Sequence, residues 1–265
     1  GSGRGSAAAL LDYFEDIWAL DTNREFRANG EAGRVLRAAA ALRERWAAIT
    51  GAGRVTPIDW DAETVQAGGV TVLHGDCAAR NKEPVLLNTL TALMQGGREQ
   101  VVVQTPYIIC NRAMYDALEK AGGAAQVQII TNAPQRGANP WGCADYLNQK
   151  KAILSTGVSV CEWHGERSMH TKTILIDDRF SIIGSFNWDM RSAYLDTELM
   201  LLVDCPELNA ALRAETDEMV RQGRLLLPDG TAVKGAAYTA PEMPLYKKLL
   251  QLVLRVVIRP FRYVL

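Results

Sequence analysis

The sequence predicts an α/β fold in which a mixed β-sheet is flanked by helices and preceded by a helical segment. From Gly69 onwards, short runs rich in valine and isoleucine alternate with amphipathic stretches, a pattern typical of α/β domains. Two of these stretches, 83–97 and 111–123, end in glycine pairs that commonly stop helices. Hydrophobic residues make up 48% of the 265 residues and charged residues 22%, which indicates an ordinary folded globular protein.

The part of the chain before Gly69 has a helical pattern. In residues 7–20 the apolar side chains recur at helical spacing, which predicts an amphipathic helix. Residues 31–50, rich in alanine and arginine, predict a second helix. The glycines and the proline that follow indicate a linker, so residues 1–68 are expected to form a helical segment and linker.

After Gly69 the expected strands are short and are separated by helices. Strands are predicted at 70–74, 99–107, 125–131, 157–163 and 196–204, and in the adjacent runs "MHTKTILIDD" and "RFSIIGS". Helices are predicted at 83–97, 111–123, 143–156 and 206–223, the last with a proline in its first turn. Such alternation favours a mixed sheet with helices on both faces.

The C-terminal run "PLYKKLLQLVLRVVIRPFRYVL", residues 244–265, contains no acidic residue. A helical wheel places its polar residues in one narrow basic stripe, formed by Lys248, Gln251, Arg255, Arg259 and Arg262. The rest of its surface is apolar, which predicts an interfacial membrane helix. The alternative is a helix packed on the core or on a partner chain, with its arginines facing solvent.

Composition excludes several classes of function. The formal net charge is -1, so the chain has no overall nucleic-acid-binding signature. Five dispersed cysteines without a C-x-x-C pair predict reduced thiols, not a disulfide framework or a zinc site. The sequence shows no signal peptide and no apolar run long enough to cross a membrane. No metal and no cofactor are expected.

The stretch "HTKTILIDDRFSIIGSFN", which begins at His170, concentrates polar groups suited to phosphate chemistry. Alternation along a strand places His170 and Lys172 on one face, and Ser185 and Asn187 have the same spacing after Gly184. Together they offer an imidazole, an ammonium, a hydroxyl and an amide, which suit a phosphoryl group. The imidazole can act as nucleophile or as general acid and base, while Lys172 and Asn187 neutralise charge without a metal.

The spacing of this stretch resembles the H-x-K-x(4)-D-x(6)-G-S-x-N signature of the phospholipase D superfamily, with Asp177 at the central position. "TPY" at 105–107 and "NWDMRSAYLDTEL" from Asn187 are similar to the bacterial cardiolipin synthases within it. The resemblance covers roughly residues 70–225. It implies a catalytic lobe over residues 69–225, followed by a tail at 226–265 with the basic amphipathic helix.

The resemblance also implies roles for individual residues. His170 would be the catalytic histidine, and Lys172, Ser185 and Asn187 would bind the substrate phosphate. Asp177 belongs to the catalytic motif, where it would orient the strand and turn without touching substrate.

Two further residues are expected near the substrate. Glu198 matches the acid that hydrogen-bonds the catalytic histidine in this family, although a solvated charge at a strand edge is the alternative. Arg191 is expected either to contact the lipid phosphate or glycerol or to form a structural ion pair. His74 and His164 lie outside the motif and are expected to be structural.

Enzymes of this superfamily use two such motifs that face each other, whereas residues 1–165 contain no second H-x-K. A second copy of the chain can complete the site, as in small single-motif nucleases. However, "LLDYFEDIWAL" resembles the helix that follows the first motif in two-motif synthases. We therefore expect residues 1–68 to be the tail of a missing first lobe. His170 would then be the general acid and base, and the isolated chain would be nearly inactive.

The predicted function is phosphatidyl transfer or hydrolysis on membrane phospholipids through a phosphohistidine intermediate. The alternatives are a homodimeric phosphodiesterase nuclease, which would need a basic groove, and a non-catalytic membrane-bound lobe. The expected partners are a phospholipid substrate, a membrane surface contacted through residues 244–265, and the first lobe or a second copy. Nucleic acid is not an expected partner. The expected location is membrane-associated, on the cytoplasmic face.

Overall fold

The computed structural model describes residues 5–25, 32–51, 58–78, 82–239 and 242–265. The chain divides into two compact units. One extends from the start of the chain to Ile17 and continues over Ala67–Leu265, and the other comprises Trp18–Gln66. In the described part of the chain no helix is long and apolar enough to cross a membrane.

The described residues form nine α-helices and one 3₁₀ helix. The α-helices are α1 (Ser6–Trp18), α2 (Ala32–Gly51), α3 (Trp60–Glu63), α4 (Val85–Gln95), α5 (Arg112–Ala124), α6 (Pro140–Leu154), α7 (Met190–Tyr194), α8 (Pro206–Gln222) and α9 (Leu245–Val257). The 3₁₀ helix, Arg259–Val264, follows α9 directly. Asparagine side chains cap the starts of α5 and α6, where their oxygens accept hydrogen bonds from backbone N–H groups.

The same residues form eleven strands, nine of them in one sheet. The strands are β1 (Gly69–His74), β2 (Gln100–Gln104), β3 (Ile108–Ile109), β4 (Gln126–Asn132), β5 (Ser159–Trp163), β6 (Thr173–Ile176), β7 (Phe180–Gly184), β8 (Trp188–Asp189), β9 (Leu199–Asp204), β10 (Arg224–Leu226) and β11 (Ala232–Lys234). The order in the large sheet is β1-β9-β7-β6-β2-β4-β5-β10-β11. β2, β4 and β5 are parallel, whereas the other neighbours in this sheet are antiparallel.

Alternation along β2 shows how both faces of the sheet are covered. Val101 and Val103 are buried in the larger core, together with apolar side chains of α4, α5 and α6. Val102 points the other way and belongs to a second cluster, against which side chains of α8 pack. The predicted mixed α/β sheet with flanking helices is therefore confirmed. The five cysteines are free thiols, four of them buried.

The first helix belongs to the unit that contains the sheet. The Ser6 hydroxyl donates a hydrogen bond of 2.8 Å to the carbonyl oxygen of Val70 at the sheet edge. The rings of Tyr13 and His74 lie 4.9 Å apart between centroids. α1 thus contacts β1, and the division into 1–68, 69–225 and 226–265 stays a prediction.

Two predicted strands differ from the structure near the motif. The strand predicted over 99–107 ends at Gln104, and the chain then pairs as Ile108–Ile109 with Trp188–Asp189. Pro106 has no N–H with which to continue the first ladder. The strand predicted from Met169 begins only at Thr173, so His170 and Lys172 lie in the segment that enters it.

Candidate active site

Polar side chains gather at the end of the sheet where β6 begins and β7 ends. The Gly184 N–H donates to the carbonyl oxygen of Lys172 at 3.2 Å, which joins the two arms of the motif. A Cβ at Gly184 would collide with the carbonyl oxygen of Leu199 on β9. Glycine is therefore required here to bring Ser185 against β9, where the Ser185 N–H donates to Leu199 O at 2.9 Å.

His170 and Lys172 are in direct contact although neither lies within a strand. The Lys172 ammonium is 3.1 Å from Nδ1 of His170 and donates to the His170 carbonyl oxygen at 2.7 Å. His170 is exposed, whereas Lys172 is only 8% exposed. The contact occupies Nδ1, and no hydrogen bond of the other ring nitrogen, Nε2, is found among the described residues.

Asn132, at the end of β4, fixes the backbone that leads into His170. Its side-chain oxygen accepts from the Met169 N–H at 2.7 Å, and its amide donates to the carbonyl oxygens of Met169 and Pro106 at 2.9 and 3.0 Å. Asn132 is buried, so these three bonds satisfy a polar group that would be costly to leave unpaired. Sequence analysis did not single out this residue, and its position directly after a predicted strand was the available signal.

Glu198 is held between two serine hydroxyls. Ser192 Oγ donates to one Glu198 oxygen at 2.7 Å, and Ser185 Oγ donates to the other. Ser192 Oγ in turn accepts from the Asn187 backbone N–H at 3.2 Å and from its side-chain amide at 3.4 Å. Ser185, Asn187 and Glu198 are thus joined into one network by Ser192, another residue that sequence analysis did not identify.

The predicted hydrogen bond from Glu198 to His170 is not present among the described residues. Both carboxylate oxygens of Glu198 bind serines, and the contact of His170 within the site is with Lys172. The physical reason is that Lys172 lies closest to Nδ1 of the histidine, while Glu198 acts on Lys172 electrostatically.

Two buried carboxylates, Glu198 and Asp189, act on the lysine electrostatically. Burial lowers the pKa of Lys172, and the negative charges of Glu198 and Asp189 oppose this effect. Burial raises the pKa of Asp189 to about 6, although hydrogen bonds from Ser192 act in the opposite direction and the charges of Glu198 and Asp196 add to the rise. The site therefore combines an exposed imidazole and a buried ammonium with two buried carboxyl groups.

Asp177 lies at the other end of β6, away from the remaining motif residues. A strand of this length separates it from Lys172 by roughly 16 Å. Its carboxylate accepts from the backbone N–H groups of Arg98, Glu99 and Gln100, at 2.9 Å for Glu99. Its own backbone has a positive φ of 48° in the turn that leads to β7. The geometry gives Asp177 contacts with the turn and with β2 and none with His170 among the described residues.

Arg191 and the other two histidines make contacts away from this network. The Arg191 guanidinium pairs with Asp196 at 2.7 Å, which is the ion-pair alternative that the sequence left open. His74 is exposed and its Nδ1 lies 2.9 Å from the carbonyl oxygen of Gly75. His164 is buried with its ring edge against Tyr238, and burial lowers its pKa.

A cavity of about 210 Å³ opens beside His170. Its lining includes Tyr107 and Pro106 from the loop after β2, Asn132, and residues 137–139 ahead of α6. Burial raises the pKa of Tyr107, so its hydroxyl remains a neutral donor near the site. Within the described residues no group of three or more His, Cys, Asp or Glu side chains is placed to hold a metal ion.

Comparison with known proteins gives consistent matches. Residues 90–220 match the family described as the PLD-like domain of cardiolipin synthase, where PLD denotes phospholipase D. Cardiolipin synthase A of Salmonella arizonae is 26% identical over 197 residues, which cover 67% of this chain and 39% of that protein. The enzyme of the same name from Salmonella newport gives the same values. The match therefore spans about two fifths of the length of these curated relatives.

Two solved structures are similar to this chain, and the first of them shares the fold. Phosphatidylserine synthase of Haemophilus influenzae superposes with a TM-score of 0.51 at 20% identity, covering 74% of this chain and 48% of that one. Nuc, a phospholipase D family member from Salmonella typhimurium, has a TM-score of 0.49 at 17% identity and covers 60% of this chain and 98% of its own. The first of these likenesses shows a common sheet architecture.

Proposed function

Residues 90–220 of this chain belong to the family of PLD-like domains of cardiolipin synthase, and from this premise we propose that the chain carries one wall of a site for phosphatidyl transfer. The substrate is a membrane phospholipid, and the acceptor is an alcohol of a second lipid or water. The observation that carries the proposal is the buried Lys172 ammonium in contact with the exposed His170 ring. A cation and an imidazole at one open surface suit a phosphodiester.

This chain supplies one wall of the site, with one histidine and the donors that would bind the phosphoryl group. We assign Lys172 to bind a non-bridging phosphoryl oxygen, and the amide of Asn187, which donates to Ser192 Oγ at 3.4 Å, to share that role. Glu198 and its two serines hold this arm of the site in place. Because charge grows on the phosphoryl oxygens in the transition state, fixed donors at these positions lower the barrier.

In the proposed reaction, the histidine of a second wall attacks phosphorus and the bond to the leaving alcohol breaks. His170, in its imidazolium form, gives its proton to the oxygen of that alcohol. The acceptor alcohol or water then loses a proton to His170 as its oxygen displaces the phosphohistidine nitrogen. Both half-reactions conserve protons, and His170 ends in the protonation state in which it began.

This chain has one copy of the motif, so the second wall must come from another motif. His170 and Ser185 are both exposed, which supports a site completed by another surface. We propose that this surface is another lobe with its own histidine and lysine, or a second copy of this chain. The residue roles are the same whether the acceptor is an alcohol or water. Which acceptor reacts depends on how well the closed site excludes water.

A lipid assay of the active assembly, in which both walls of the site are present, tests the proposal by comparing it with the same assembly lacking the His170 side chain. Labelled phosphatidylglycerol is supplied in mixed micelles, and the formation of cardiolipin or phosphatidic acid is followed. His170→Ala is expected to reduce the rate by about 10²–10⁴-fold, as expected for loss of a general acid and base. His74→Ala, a change at a histidine outside the site, serves as the matched control. Equal rates for His170→Ala and the unchanged protein would refute the assignment.

A further inference from the structure

Three of the five residues of the polar stripe contact the domain, which differs from the alternative in which the arginines of the C-terminal helix all face solvent. Gln251 donates to the carbonyl oxygen of Pro134 at 2.8 Å, and Arg255 donates to the side-chain oxygen of Asn148 at 2.9 Å. Arg262, in the 3₁₀ helix, donates to Asp145 and to the Cys110 carbonyl oxygen. These polar bonds attach the segment to α6 and the core, so its apolar face is turned outward.

The outward face of this segment is apolar over its whole length. Six side chains of α9 are each between 55 and 72% exposed, namely Leu245, Tyr246, Leu249, Leu252, Val253 and Val256. Phe261 and Tyr263 extend the exposed surface into the 3₁₀ helix. On the opposite side Leu254 and Ile258 are buried, which shows that the helix is docked and that its outer face is a separate surface.

The charges within this segment have one sign. Residues 243–265 contain no aspartate or glutamate. Lys248 and Arg259 are exposed, and helical geometry places both along one edge of the apolar face. An apolar face with a cationic edge matches a surface whose interior is hydrocarbon and whose headgroups are anionic. A protein partner that contacted this face through apolar side chains alone would make no favourable electrostatic interaction with the cationic edge.

A second cavity lies beside this helix and shares part of its lining with the cavity next to His170. It has a volume of about 220 Å³ and lies between the loop that follows β4 and the first turns of α9, where Tyr246 and Leu250 line it. Gly137 and Ala138 line both this cavity and the one beside His170. The apolar helix and the catalytic histidine therefore lie on either side of one short loop.

We propose that residues 245–264 dock the lobe on an anionic phospholipid bilayer through the outward apolar face of α9. The helix lies in the interface, with Lys248 and Arg259 among the headgroups. This orientation holds the cavity at Leu250 next to the lipids, so that a phospholipid reaches His170 across Gly137 and Ala138. The proposal rests on the proposed function for the identity of the lipid as substrate, whereas docking itself does not require catalysis.

Vesicle co-sedimentation of the unchanged chain tests docking without any need for turnover. Vesicles of equal parts phosphatidylglycerol and phosphatidylcholine are compared with vesicles of phosphatidylcholine alone. Val253→Asp places a charge in the middle of the outward face and is expected to reduce binding to the mixed vesicles by about tenfold or more. Val233→Asp, at a similarly exposed valine on β11, is the matched control and is expected to bind normally.

The cationic edge is tested with the double variant Lys248→Ala and Arg259→Ala. Its binding to mixed vesicles is expected to fall towards that measured on phosphatidylcholine alone, and to lose its dependence on salt. Absence of vesicle binding by the unchanged chain would overturn the proposal. A second result would also overturn it: the mass in solution shows that Val253→Asp converts a dimer to a monomer, while vesicle binding is unaffected. A second copy of the chain would then cover the apolar face. His170→Ala should bind vesicles normally, which separates failure of docking from failure of the catalytic proposal.

Discussion

At the scale of single residues, the contact between Lys172 and His170 defines the unliganded site. An ammonium can only donate hydrogen bonds, so Nδ1 of His170 must accept and the neutral ring carries its proton on Nε2. For Nε2 to give a proton to the leaving alcohol and take one back from the acceptor, as proposed, Nδ1 must hold a proton in both half-reactions. We infer that a bound phosphoryl group, by taking over the Lys172 ammonium, releases Nδ1 for this change.

This inference predicts the tautomer of His170. In long-range ¹H–¹⁵N spectra the free chain is expected to show the Nε2–H form, and added inorganic phosphate is expected to shift the ring towards the Nδ1–H form. Lys172→Met should remove the preference and weaken phosphate binding by about tenfold or more, as for loss of a charged hydrogen bond. Lys120→Met, an exposed lysine on α5, is the control. An Nδ1–H form in the free chain would contradict the assignment.

At the scale of elements, the turn between β6 and β7 depends on Asp177. Partial burial acts to raise the pKa of its carboxyl, but hydrogen bonds from the N–H groups of Glu99, Arg98 and Gln100 hold that pKa below its usual value. The positive φ of 48° at Asp177 is a conformation that aspartate and asparagine tolerate better than most residues. This residue of the motif therefore joins the turn to the start of β2.

Asp177→Asn is expected to lower the free energy of unfolding by about 1–2 kcal/mol at neutral pH, because the amide keeps the backbone conformation but loses the charged acceptor. The folded pKa lies below that of the unfolded chain, near 4. The stabilisation is therefore present above about pH 4 and is lost as the pH falls through the lower folded value. Urea unfolding at pH 7 and pH 3 measures this. Asp178→Asn, the exposed neighbour, is the control, and equal losses in both variants would show that Asp177 has no special role.

At the scale of the whole molecule, the proposed mechanism needs a second wall for the site. The motif occurs once in the 265 residues, and His170 and Ser185 are both exposed. A transfer that needs two histidines cannot be completed by one of them, because one histidine forms the bond to phosphorus and the other transfers the protons. Assembly is thus part of the proposed mechanism.

The monomer in dilute solution is expected to turn over phosphatidylglycerol about 10²–10⁴-fold more slowly than an assembly with two walls, as for loss of one catalytic group. Turnover per chain is measured over a range of protein concentrations, with the mass determined by light scattering in parallel. If a second copy completes the site, turnover per chain rises as dimers form. Full turnover that does not change with concentration, in a solution of monomers, would exclude the two-wall mechanism.

Much of the fold and part of the candidate site followed from the sequence, because they depend on short-range patterns. Alternation of strands and helices determined the α/β class, and residue spacing identified His170 and Lys172 as a pair. The tertiary structure decided what depends on contacts between distant segments. It brought Asn132 to the backbone beside His170, and directed Glu198 to two serines instead of the histidine.

The C-terminal helix shows the same division. Its sequence determined an amphipathic helix with a basic stripe and a broad apolar surface, since both properties follow from helical periodicity. Periodicity cannot decide which face packs inward, because that depends on the partners that the rest of the fold supplies. Here Pro134, Asn148 and Asp145 offer acceptors to Gln251, Arg255 and Arg262. These hydrogen bonds turn three residues of the polar stripe towards the protein and leave the apolar face outside.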